Sequence, residues 1–111
     1  MDFRKIAIDK LIPAEYNPRK KLQPGDKEYE KIKNSIKEFG FAEPIIVNSD
    51  MTIIGGHQRY SVLKDLGYTE IECVVLEVDK TKEKALNIAL NKISGEWDFE
   101  QLSKLLDDLQ K

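Results

Sequence analysis

The sequence predicts an α/β fold (α+β in arrangement), a small mixed sheet flanked by about four helices, and three observations carry that expectation. Short runs of β-forming residues at 45–47, 51–54 and 71–78 alternate with stretches whose apolar residues recur every three or four positions. Turn residues (Gly, Pro, Asn, Asp) separate the two kinds of segment. The 111 residues, 41% hydrophobic and 34% charged, suit one folded domain rather than a disordered chain.

The same composition excludes several functions. A net charge of −2 rules out a whole-chain electrostatic glove for nucleic acid, so any such contact must come from a local patch. The apolar runs fall far short of the ~20 residues that span a bilayer. The first residues include Asp2, Arg4, Lys5 and Asp9 without an apolar stretch, so no signal peptide is expected and the chain reads as cytoplasmic. One cysteine, Cys73 in an apolar run, reads as a buried thiol. One histidine and one cysteine cannot build a zinc site alone, so no metal ligands are assigned.

Taken in order, Ile6, Ile8 and Leu11 suggest a first strand that ends before Pro13. Residues 12–21 contain Pro13 and an Asn17-Pro18 step, which mark a loop with restricted geometry. Arg19, Lys20 and Lys21 make its one basic spot, either a DNA-phosphate contact or a solvated surface. After Pro24-Gly25, Asp26 is an N-cap for a helix over 27–39 whose stripe is Tyr29, Ile32, Ile36 and Phe39, with Gly40 as its stop. Residues 45–47 and 51–54 form a hairpin around Asn48-Ser49-Asp50. A helix comes next, burying Val62, Leu63 and Leu66 and stopping at Gly67. Residues 71–78 are apolar on both faces in the middle and belong inside the sheet. A helix over about 82–91 turns Ala85, Leu86, Ile88, Ala89 and Leu90 mostly inward. A last helix, about 98–110, opens with an Asp98/Gln101 capping box and carries Leu102, Leu105, Leu106 and Leu109. It packs on the single domain, 1–111, or leads toward a missing partner domain.

The stretch Ile53-Ile54-Gly55-Gly56-His57-Gln58-Arg59 joins the hairpin to the second helix. Glycines let backbone amides approach an oxyanion, and first-turn N–H groups have no helical acceptor. A helix start normally attracts acids, yet here Arg59 and a potential cation, His57, occupy it and no acid appears before Asp65. A bound phosphate would account for this; a weak glycine cap with a solvated Arg59 is the plainer alternative. His57 is the candidate base or phosphate donor, against an ordinary first-turn residue that tolerates the turn. The stretch is neither GxxxxGK[ST] nor GxGxxG.

Three spots together resemble the ParB N-terminal domain of the ParB/sulfiredoxin-like superfamily. Tyr16-Asn17-Pro18-Arg19 is similar to the family's Asn-Pro-Arg box. Residues 45–66 are similar to its hairpin and phosphate box, usually I-x-G-E-R-R-x-x-A. The helix ending at Asn91 is similar to the later helix that carries an asparagine. The stretch from Ala89 through Trp97-Asp98 resembles ParB-like domains of phage and mobile-element proteins, often fused to DNA methyltransferases. The resemblance implies CTP or ATP as ligand, with or without Mg²⁺, and a cleft of Gly55, Gly56, His57, Gln58, Arg59, Asn17, Arg19 and Asn91. It further implies DNA contact by Arg19, Lys20 and Lys21, a possible homodimer, and a methyltransferase or other domain as partner. Departures are present. Leu90 stands where the family has an acid before its asparagine, and Ser94 where it has an arginine. His57 replaces the cysteine of sulfiredoxin, so sulfinic acid reduction is not implied. The DNA-reading helix-turn-helix of ParB has no room in 111 residues.

Three functions are open on this reading: a nucleotide-binding module with weak or no NTPase activity, a ParB-like nuclease or phosphodiesterase using metal-bound water, or a module that holds DNA phosphates without nucleotide.

Overall fold

A computed structural model describes residues 2–16, 22–40 and 43–92, with the side chains of Asn91 and Lys92 left aside. The order is β1 (Asp2–Ala7), a short 3₁₀ turn (Ile8–Lys10), β2 (Ile12–Pro13), α1 (Lys27–Phe39), β3 (Ile45–Asn48), β4 (Thr52–Gly55), α2 (His57–Asp65), β5 (Glu70–Leu76) and α3 (Lys80–Lys92). The five strands form one mixed sheet in the order β1-β5-β3-β4-β2. β1 runs antiparallel to β5, β5 parallel to β3, β3 antiparallel to β4, and β4 parallel to β2.

Alternation along the strands sends successive side chains to opposite faces. Ile45, Val47, Ile53, Cys73 and Val75 pack with Tyr29, Ile36, Val62 and Leu63, so α1 and α2 cover one face. Ile46, Ile54, Val74 and Leu76 pack with Leu86 and Leu90 of α3 on the other. This explains why β3 and residues 73–76 of β5 lack polar alternation: both faces are covered there. Cys73 is buried, and burial lifts its thiol to about 11, so it is an unreactive core residue.

Several expectations need correction. The first strand is two: the chain leaves β1 through the 3₁₀ turn and pairs again as β2, with Pro13 inside it. Proline is tolerated there because β2 is an edge strand. Phe39 is 72% exposed, since it is the last residue before Gly40 (φ +74°) turns the chain away. α3 begins at Lys80 rather than 82, and its buried face is Glu83, Leu86, Asn87 and Leu90, while Ile88 points outward. Three α-helices are present among the described residues, and the expected fourth, 98–110, lies outside them.

Candidate functional site

The hairpin β3–β4 is irregular where it meets the site. Ile46 pairs with Gly55 and Val47 with Ile53, so Ile54 is the extra residue of a bulge. Bulges bend a strand and re-aim the residues beyond them. Here β4 extends through Gly55, so the expected two-glycine turn is a one-residue turn at Gly56. Gly56 sits at φ +93°, and a Cβ on it would lie 3.1 Å from Ile45 Cδ1. Its carbonyl accepts the first helical bond, from Tyr60 N–H at 2.8 Å.

α2 therefore starts on a left-handed glycine, with no side-chain cap and no acid in its first turn. The N–H groups of His57, Gln58 and Arg59 precede the first helical bond and lie at the positive end of the helix dipole. That arrangement can hold an oxyanion.

Arg59 lies on the same turn but its guanidinium is committed in part to protein. Nη2 donates to Glu43 Oε2 at 2.8 Å, with both side chains about a fifth exposed. Burial pulls the guanidinium's pKa down while Glu43 pulls it up, with a net lowering that leaves it cationic. His57 is different from the expected cation. Its Nε2 accepts from Ala14 N–H at 3.2 Å, and burial lowers its pKa to about 4, so it is neutral at pH 7 with the proton on Nδ1. Through this bond the first residue of α2 ties down the segment leaving β2.

A second set of contacts fixes α3 against the hairpin. Glu83 is fully buried. Its Oε2 accepts from Tyr16 Oη at 2.5 Å, and its Oε1 from Asn48 Nδ2 at 2.8 Å and Lys80 Nζ at 3.0 Å. Burial alone would raise its pKa, but donation from Tyr16, Asn48 and Lys80 outweighs that and holds it low. Tyr16 is shifted upward by its own burial and by this carboxylate. Lys80 also reaches Asp50 Oδ2 at 2.7 Å, which depresses that acid to about 2. Asn87, one turn after Glu83, donates from Nδ2 to the carbonyl of Ile54 at 2.9 Å.

Gly55, Gly56, His57, Gln58 and Arg59 are thus together at one helix start. Asn17, Arg19, Lys20 and Lys21 lie outside the described residues, flanked by Tyr16 and Leu22. Asn91 lies on α3, with its side chain outside the description. Sequence reasoning assigned no role to Glu43, Glu83 or Asn87, and it placed Tyr16 only in the Asn-Pro-Arg box and Asn48 only in the hairpin turn. A signal for two of them existed: Glu83 and Asn87 stand at a spacing of four on the face that carries Leu86 and Leu90. Among the described residues no three of His, Cys, Asp and Glu come together, as a metal-bound water would need. Nor is any helix there long and apolar enough to cross a membrane.

Comparison with known proteins agrees with this geometry. The probable chromosome-partitioning protein ParB of Campylobacter jejuni is 35% identical over 89 residues, 78% of this chain and 31% of that protein. An uncharacterised protein of the Acidianus two-tailed virus is 34% identical over 104 residues, 93% of this chain and 31% of its own. The chain thus spans about a third of the length of these relatives. C-terminally truncated ParB from Caulobacter crescentus, crystallised with CTP-γ-S, superposes with a TM-score of 0.72 at 23% identity, covering 93% of this chain and 61% of that one. Arabidopsis thaliana sulfiredoxin gives 0.63 at 19%, covering 78% and 97%. A free serine kinase mutant in complex with ADP gives 0.55 at 27%, covering 74% and 34%. The ParB N-terminal domain family matches residues 1–92, and this chain, with its mixed sheet and glycine-started helix, belongs to that family.

Proposed function

We propose that this domain binds the phosphates of a nucleoside triphosphate, CTP or ATP, at Gly56 and the first turn of α2, in the service of DNA segregation or modification. The observation that carries the reading is the start of α2: a left-handed glycine, no side-chain cap and no acid in the first turn. Arg59 is the cation that would pair with phosphate, sharing its guanidinium with Glu43 or exchanging it. Gln58 shares the turn, Gly55 orients it from the strand, and Asn17, Arg19 and Asn91 would complete the cleft. His57, neutral and with its Nε2 lone pair engaged, serves better as an Nδ1–H donor to phosphate than as a base. Mg²⁺ would arrive on the triphosphate, since the described carboxylates form no cage for it.

The ligands of two structural neighbours, CTP-γ-S and ADP, support nucleotide as the class. DNA contact by Arg19, Lys20 and Lys21 would add a local positive patch, and the Caulobacter protein also crystallises with its centromeric parS site. The viral relative supports a place in a mobile element, where a DNA methyltransferase or a second copy of the domain is the expected partner. Thermal-shift measurements with CTP, ATP, GTP and ADP, with and without Mg²⁺, test the reading. One triphosphate should raise Tm in the wild type and not in Arg59→Ala; a shift with none of them would contradict it.

A further inference from the structure

We propose that Asn87 is a positioning residue for the phosphate-binding turn, acting through the bulged carbonyl of Ile54; the inference deepens the nucleotide reading and rests on it. Three facts converge on this residue. Ile54 has no mate in β3, because the register passes from Val47↔Ile53 to Ile46↔Gly55. On the other side of β4, β2 ends at Pro13, opposite Ile53. The carbonyl of Ile54 receives the side-chain amide of Asn87 at 2.9 Å, in a buried position.

The mechanical consequence comes from peptide planarity. The Ile54–Gly55 bond is trans, so a carbonyl held toward α3 fixes the Gly55 N–H on the opposite side. Gly56 comes directly after, and its φ of +93° is the step that points the first amides of α2. A bulged strand ending in two glycines has little stiffness of its own. Asn87 supplies it from a helix that is itself locked to the hairpin by the Asn48–Glu83 and Lys80–Asp50 contacts. Asn87 touches no phosphate in this scheme; it decides where the amides that do are aimed.

The test uses Asn87→Ala in the full chain, with Ile6→Ala, in the distant strand β1, as a control for general destabilisation. Amide hydrogen exchange is read first, because it needs no ligand. The β4 amides of residues 53–55 and the Tyr60 amide, whose acceptor is the Gly56 carbonyl, should exchange at least tenfold faster in Asn87→Ala, while those of β5 change little; Ile6→Ala should not show that local pattern. Triphosphate affinity should fall about tenfold in Asn87→Ala and stay within about twofold in Ile6→Ala. If Asn87→Ala does not fold, Asn87→Ser replaces it, since its hydroxyl falls short of Ile54. Unchanged exchange at residues 53–55 and 60, or an increase spread evenly over the sheet, overturns the inference. Fast local exchange in a protein whose wild type binds no triphosphate keeps Asn87 as the positioning residue of the turn and refutes the nucleotide reading alone.

Discussion

Replacing Tyr16 by Phe removes one donor from a carboxylate that water does not reach. Glu83 is 0% exposed, and Tyr16 Oη lies 2.5 Å from its Oε2. A hydrogen bond to a charged group contributes about 1.5–3 kcal/mol, and burial of Glu83 favours the upper end. Asn48 and Lys80 remain on Oε1, which favours the lower end. The expected loss is about 2 kcal/mol at neutral pH, or roughly 8 °C in Tm for a domain of this size. The pH dependence has a definite sign. Glu83 has a folded pKa below its ordinary value, so its contribution is complete above the ordinary glutamate range and disappears as pH falls through the folded pKa. Without the tyrosine that pKa rises, and the variant takes up its proton first. The stability gap should therefore be widest near pH 7 and narrow in acid. Urea unfolding of both proteins at several pH values measures this. A gap below about 0.5 kcal/mol at pH 7, or one that stays constant into acid, would refute the view of Glu83 as an ionised, tyrosine-supported anchor.

Other outcomes rest on the same contacts. Gly56→Ala forces a side chain into a φ of +93° with its Cβ 3.1 Å from Ile45 Cδ1. It should cost about 1–3 kcal/mol in denaturant unfolding, and triphosphate binding with it. His57 has a folded pKa of about 4 against 6.5 unfolded, so the unfolded chain binds the extra proton first. Stability should fall by up to about 3 kcal/mol between pH 6.5 and 4 on this account, and His57→Ala should lack that part of the slope. Glu43→Gln removes an anion that competes for Arg59, so triphosphate should bind several-fold tighter, whereas Arg59→Ala should bind weaker. Titration of the two variants shows opposite signs if Arg59 serves phosphate, and parallel changes if the pair is only structural.

Much of the fold was legible because its signals are local. Asp26, the Tyr29-Ile32-Ile36 spacing and Gly40 delimit α1 within a residue or so, and the unbroken apolar middle of β5 placed it inside the sheet. The errors share a cause: they depend on partners distant in sequence. Pro13 pairs only because β4 accepts a short edge strand beside it. Ile88 reads as core by hydrophobicity, but the face of α3 that packs on the sheet carries Glu83, Leu86, Asn87 and Leu90, and Ile88 is exposed. The site divides in the same way. Glycine and the missing acid mark the start of α2 from composition alone, whereas Ala14–His57, Glu43–Arg59 and Tyr16–Glu83 join residues 43, 16 and 67 positions apart. Such pairs leave no periodic trace.

Ligand binding turns on the helix start at Gly56, which has no side-chain cap. Its most direct measurement is an equilibrium titration of CTP and of ATP against the wild type and a folded Gly56→Val variant, each with Mg²⁺. One of the two should bind the wild type saturably, and that binding should be lost in the variant. Equal affinity in both proteins, or no binding to a folded wild type, would contradict it.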